Sequence, residues 1–412
     1  MSVEISAIKS QFQKDLKENI LPFWITKSPD RVNGGFNTHI DQDGTVHVQN
    51  RMLIMQTRMI WSFAWVYRNK FGGKECLDLA AHGVKFLLDT MQDQVNGGFY
   101  TVVTPAGVVV DRTKDVYMQT FVVYALAEYA HASGDKRCLA KAMELYRLLK
   151  QRACDPATKS YPEVLAEDWQ PISGEWQSTK AGNERDRRQI KTLDTHLHFL
   201  ECLTTLYQAS GDANVKQDLS DILHILTDRM INPVTGAGIN EFDLALNPLP
   251  ARVGKGVSFG HDIEMAWLGQ AALDVLGGEP KRFTAIFKRM IDFGLEHGWD
   301  RQYGGIYTWG DATGAITDDG KVWWQQTETL IGTLTFYRLT GEAKYWDYFK
   351  KLSTYVRKYF LDEKCGEWYH ALDRQGNVVV SEKGGNWKAS YHVVRSYGRC
   401  LQLLQELERK QS

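Results

Sequence analysis

The chain of 412 residues has no cysteine pair at CxxC or metal-like spacing; its six cysteines, at 76, 138, 154, 202, 365 and 400, are scattered. That pattern argues against a disulfide framework or a thiolate metal cluster and predicts free thiols in a reducing compartment. An excess of one charge is also missing. Lys plus Arg (49) nearly balances Asp plus Glu (50), giving a net charge of −1. Nothing electrostatic therefore favours nucleic acid or an anionic membrane as a partner. No apolar run approaches the roughly 18 residues of a membrane span. The opening MSVEISAIKSQFQKDLKENI is amphipathic and charged, unlike a secretory signal. No low-complexity linker divides the chain. The expectation is one domain over 1–412, in the cytoplasm, as a monomer or homodimer.

What the chain does have is aromatic residues, 13 Trp and 18 Tyr among them, which suit a neutral, flat, hydroxyl-bearing ligand such as a sugar. It also has a repeat. DRVNGGFNTHIDQDGTV from 30, DQVNGGFYTVVTPAGVVV from 93, DRQYGGIYTWGDATGAI from 300 and DEKCGEWYHALDRQGNVV from 362 are alike. DPATKSYPEVLAEDWQP from 155 and NPVTGAGINEFDLALNPL from 232 are degenerate copies. Each holds a turn, a short β-prone run and often a second turn and run, the signature of a hairpin.

Between the copies, apolar residues recur at helical spacing. The pattern predicts helices over 4–20, 52–70, 75–92, 115–133, 136–152, 190–210, 213–231, 260–277, 280–298, 323–340, 342–360 and 388–409. One helix of each pair ends just before a hairpin and the next begins just after it. Short links such as ASGDK, ASGDA, LGGEP and LTGEA supply glycine stops. Twelve helices in six pairs need closure to bury the last repeat against the first, which predicts an all-α (α/α)6 barrel with short β-hairpins at one end. An open solenoid, the alternative, ordinarily lacks a long hairpin in each repeat.

Each post-hairpin helix carries polar or aromatic groups in its first turns: Arg58, Tyr117, His196 and His198, His261 and Glu264, Trp323, Trp324 and Glu328, and His392. In an inner ring these would share one cup, the usual form of a ligand site. A single histidine on a helix is more often an ordinary core or surface residue; three at equivalent repeat positions are a stronger signal. His196 and His198 point apart at i, i+2, so one of them is expected to face the cup. Of Trp323 and Trp324, one is expected in the wall and the other against a ligand. No HExxH-type spacing occurs, so a metal site is not expected.

The stretches RMLIMQTRMIWSFA, YMQTF, THLHFLE, SFGHDIEMAW, WWQQTET and WKASYH, in that order, resemble the N-acylglucosamine 2-epimerase superfamily, and within it the cellobiose 2-epimerase branch, which includes mannose 2-epimerases. The resemblance implies an (α/α)6 barrel that inverts C2 of a reducing aldose without metal, nucleotide cofactor or covalent intermediate. It makes His261 and His392 the acid/base pair and His198 a third active-site histidine. Arg58, Tyr117 and Glu264 become supporting polar groups, and Asp194, Trp323, Trp324, Glu328 and Trp387 complete the expected substrate contacts. The chain departs from the pattern twice: Asp194 stands where relatives usually carry Asn, and Val393 follows His392 where cellobiose epimerases carry Asn. Both changes bear on substrate range, toward free mannose or glucose.

Histidine suits this reaction. Once the sugar ring opens, C2 is acidified by the aldehyde, and inversion needs one group to remove its proton and another to return one to the opposite face. Imidazole, with an ordinary pKa of about 6.5, performs either task near neutrality. Four rival activities remain open on sequence: aldose–ketose isomerisation through the same enediol, N-acylglucosamine epimerisation, inverting glycoside hydrolysis by carboxylates such as Asp194, Asp262 and Glu328, and sugar binding without catalysis.

Overall fold

The structure is a computed structural model describing residues 2–174, 186–251, 256–277 and 281–411. It opens with a helical rod: α1 (Ser2–Lys14), a π turn (Asp15–Ile20) and α2 (Leu21–Lys27). Helices then alternate between two rings. The order is α3 (Leu53–Arg68), α4 (Lys74–Phe86), α5 (Val116–Ser133), α6 (Lys136–Arg152), α7 (Leu193–Ser210), α8 (Ala213–Arg229), α9 (Phe259–Leu276), α10 (Lys281–Gly298), α11 (Trp323–Thr340), α12 (Ala343–Tyr359) and α13 (Tyr391–Gln411).

Composition decides which ring a helix joins. In α3 every residue from Leu53 to Val66 is buried, so it has no solvent face; α5, α9 and α11 are similar. A helix enclosed all round belongs inside. The even-numbered helices α4 to α12 bury one stripe and expose the other. Neighbouring odd-numbered helices touch in sequence from α3 to α13, and α13 packs back on α3, which closes the inner ring. The α1 segment covers α13 from outside, completing six pairs. This is the (α/α)6 barrel expected from the repeat. Among the described residues, no helix is long and apolar enough to cross a membrane, and the six cysteines are free.

The first helix runs further than its expected end at residue 20. Pro22 sits in the first turn of α2, directly after the π turn, where its missing N–H has less to satisfy and the rod continues. The expected glycine stops are in place: Gly134, Gly211 and Gly341 cap α5, α7 and α11 with left-handed backbone. The first residue of the helix expected over 280–298, and most of the LGGEP link, lie outside the described residues.

The hairpins bind the repeats together around one end of the inner ring. A two-residue strand before α3 (Arg51–Met52) pairs with the next repeat's hairpin (Val102–Val103), and the same pairing recurs before α5, α7, α9 and α11. The Ile40–Gly384 bridge ties the first hairpin to the last segment before α13. Buried charge reinforces the pattern. The first Asp of five repeats meets a base from the strand or loop ahead of the next inner helix: Asp30 with Arg51, Asp93 with Lys114 (2.7 Å), Asp155 with Lys191 (2.7 Å), Asp300 with Lys321 (3.0 Å) and Asp362 with Lys383 (3.1 Å). The remaining repeat, fourth in the chain, has Asn232, whose side chain still accepts the Val234 and Thr235 N–H groups.

Candidate active site

Position along the inner helices determines what each side chain does. The fourth residue of α3, α5 and α11 is Gln56, Gln119 and Gln326. Each accepts the N–H and donates to the C=O of one hairpin residue, Phe36, Phe99 and Ile306 respectively, at 2.8–3.0 Å. In α7 and α9 the same position is His196 and Asp262. His196 Nε2 accepts the Tyr161 N–H (3.0 Å) and Asp262 Oδ1 accepts the Gly238 N–H (2.9 Å). Burial drives His196 down to about 4 and Asp262 up to about 8, so both are neutral in the neutral range. They are hairpin clamps. Asp262 is thereby removed from the carboxylates available for hydrolysis.

Two residues further on, the sixth position of α3, α5, α7, α9 and α11 carries Arg58, Phe121, His198, Glu264 and Glu328. These turn toward the barrel axis, where α13 delivers His392 and Arg395. His392 Nδ1 lies 2.7 Å from Glu328 Oε1, whose other oxygen accepts the Trp267 indole N–H (3.0 Å). Arg395 joins three carboxylates: Glu264 (2.6 Å), Glu328 (2.9 Å) and Glu201. Glu201 also receives the hydroxyls of Tyr391 (2.6 Å) and Tyr124 (3.0 Å) and holds His198 Nδ1 at 2.9 Å. The other ring nitrogen of His198 lies 3.3 Å from Asp194 Oδ1, which is 3.5 Å from His261 Nε2.

This layer separates the histidines electrostatically. Burial, then the cations Arg58 and Arg395, hold His392 well below the ordinary imidazole range. It is neutral at pH 7, and the Nδ1–H donated to Glu328 leaves Nε2 as its basic nitrogen. Burial opposes charge on His198 too, but Asp194 and Glu201 outweigh it and raise the group to about 9. His198 is a cation in the neutral range, a donor rather than a base. Burial and the neighbouring Glu328 push Glu264 up to about 7, while Arg395 and His198 overcome burial to hold Glu201 near 2.

The lip of the cup is formed by the half-buried His261, Asp194, Trp324 and Trp387. Trp324 packs against both His261 (ring centroids 4.6 Å apart) and His392 (5.8 Å). Trp323 is buried in the wall, edge-on to His370, so of the two adjacent indoles Trp324 is the one at the cup. Arg58 donates to the Tyr117 hydroxyl and the Trp387 carbonyl, both at 2.8 Å, which fixes the guanidinium beside the opening.

The structure thus gathers the residues expected at the site, with two changes of position. Glu328 is fully buried beneath His392 and holds that ring instead of lining the cup, and Trp323 stays in the wall. Sequence reasoning missed Arg395, Glu201, Tyr391 and Trp267. Helical spacing held a signal for two of them: Glu201 follows His198 by three residues, and Arg395 follows His392 by three, so each pair shares a helix face. Glu264, Glu328 and His392 could each offer one atom to a metal, all within 4.8 Å of one another. The Arg395 guanidinium already lies against both carboxylates, so these residues do not fit a divalent cation without displacing it.

The chain matches the N-acylglucosamine 2-epimerase (GlcNAc 2-epimerase) family over residues 34–396. It is 30% identical to the cellobiose 2-epimerase of Bacteroides fragilis over 403 residues, 97% of this chain and 99% of the relative. The solved cellobiose 2-epimerase of Spirochaeta thermophila DSM 6192 superposes with a TM-score of 0.87 at 29% identity, covering 98% of each chain. A D-mannose isomerase shares the fold, with a TM-score of 0.84 at 20% identity over 97% of each chain.

Proposed function

The chain belongs to the N-acylglucosamine 2-epimerase family and is a carbohydrate epimerase or isomerase, and on that premise we propose that it inverts C2 of a reducing aldose, interconverting the glucose and mannose configurations by proton transfer between two histidines. The observation that carries this reading is the neutral His392, fixed through Nδ1 by Glu328, on the same indole as the half-buried His261. One imidazole removes the C2 proton of the open-chain sugar. The C–H electron pair becomes the C1=C2 bond, and the aldehyde oxygen takes up negative charge. The second histidine, entering as the imidazolium, gives its proton to the opposite face of C2 and becomes neutral while the C1 carbonyl re-forms.

The enediolate oxygen needs donors in a site screened from water, where they are worth most. The His198 cation and Arg58 stand nearest that role. Trp324 supplies an apolar face that orders the sugar between the histidines. The substrate is free mannose or glucose, or such a unit at the reducing end of a β-1,4-disaccharide such as cellobiose. The acidic Asp194 at the lip favours hydroxyl-rich neutral substrates over anionic ones.

Proton NMR in D2O with mannose, glucose and cellobiose separately tests the proposal. Loss of the C2 proton signal with growth of the other epimer's anomeric signal is expected. Ketose signals would replace epimerisation by isomerisation, reprotonating the same enediol at C1, and cleavage of cellobiose with unchanged monosaccharides would overturn the two-histidine chemistry.

A further inference from the structure

At the end of the barrel opposite the cup, the C-terminal halves of α3, α5, α7 and α9 and the first half of α13 line a second cavity of about 340 Å³. Its floor is the underside of the active-site layer: Tyr124, Glu201, Trp267 and Arg395 all line it. Its volume falls in the range of small-molecule sites, and the pairing of its side chains shows what chemistry it would accept.

The acids of the cavity are already paired. Both oxygens of Glu128 receive Arg68 (2.6 and 3.1 Å), Asp274 receives Arg338 (3.1 Å), and Glu201 is held by Arg395, His198 and two tyrosines. Arg399 is different. Its guanidinium donates to the neutral Gln402 carbonyl (2.9 Å), and among the described residues no carboxylate forms an ion pair with it within 4.0 Å. One helical turn earlier on the same face of α13, Arg395 is 2% exposed and already engaged with Glu201, Glu264 and Glu328, so Arg399 is the cation left for a ligand.

The indoles of the cavity do not present a sugar platform. Trp65 is stacked between Trp61 (5.6 Å) and Phe71 (5.7 Å), and the Trp267 face is covered by the Arg395 guanidinium (5.0 Å). What remains for a ligand is the Arg399 guanidinium, with the Thr205 hydroxyl and the Gln208 amide in the same lining, bordered by apolar ring edges. We propose that this cavity is a binding site for a small organic carboxylate, whose anionic head bonds the Arg399 guanidinium. The helix C-termini around it carry partial negative charge, so the affinity is modest, with Kd on the order of millimolar. An occupant there lies against the lining that Arg395 and Glu201 share with the active-site layer, directly beneath the catalytic groups.

The test is isothermal titration of sodium malonate into the whole protein without sugar, at constant ionic strength set with sodium chloride. Saturable binding at one site is expected. Arg399→Gln should weaken it at least tenfold, and so should Thr204→Phe, which fills the cavity without changing charge. No saturable heat from the unmodified protein would overturn the proposal, as would unchanged affinity in both variants with melting curves like the parent. Binding of inorganic phosphate but not malonate, sensitive to the same substitutions, would overturn the carboxylate assignment. The readout needs no catalysis, so it stands or falls separately from the epimerase reading.

Discussion

Glu328 Oε1 lies 2.7 Å from Nδ1 of His392, a contact between adjacent inner helices that assigns the imidazole its tautomer. A buried carboxylate fixing Nδ1–H leaves Nε2 unprotonated and oriented. Glu328→Gln keeps the shape but can present its amide N–H to the ring, which favours the opposite tautomer. We expect kcat to fall by about 10²–10⁴-fold with KM changed much less. A variant within tenfold of the parent kcat would show that Glu328 does not govern the base.

The charge on His198 sets an alkaline limit. Its folded value of about 9 lies above the ordinary 6.5, so the stability it contributes is complete below about 6.5 and is lost as pH rises through about 9. If the cation also serves as a donor, the rate falls over the same range. Asp194→Asn removes one of the two carboxylates that raise it, and the alkaline limb of kcat/KM should move toward neutrality by about one pH unit. Profiles that superimpose would remove Asp194 and His198 from this role.

His196 is expected to be a structural group. Because glutamine performs the same clamp at the fourth position of three other inner helices, His196→Gln should retain activity within about threefold. His196→Ala leaves the Tyr161 N–H without its acceptor and should cost about 1–3 kcal/mol in chemical denaturation. Loss of catalysis in a stably folded His196→Gln protein would count against the assignment.

The repeated ion pairs hold the hairpins. Lys114 and Asp93 are both fully buried, so Lys114→Met strands a carboxylate and should cost about 3–5 kcal/mol. Adding Asp93→Asn should recover part of that loss, because Asn232 already makes the same turn contacts in the fourth repeat. Denaturation of the two variants measures the difference; a double variant no more stable than the single one would contradict this account.

By itself, the amino-acid sequence determined the barrel. Local rules sufficed: apolar spacing marked the helices, glycines marked their ends, and six similar turns marked the repeats that closure must bury. The order of motifs, through its resemblance to the 2-epimerase superfamily, also singled out His198, His261 and His392, although they stand at the sixth, third and second positions of their helices and repeat phase alone does not group them. Tertiary structure alone decided the division of labour among them. His196 and His198 are two residues apart, yet one clamps a hairpin and the other is a buried cation, since their partners come from different segments, Tyr161 for one and Glu201 with Asp194 for the other. Glu328 and Arg395 likewise acquire their roles only across the ring, from residues 64 or more positions away. Coulomb forces and desolvation depend on distance in space, and linear spacing does not record which carboxylate, guanidinium or indole lies next to a given ring.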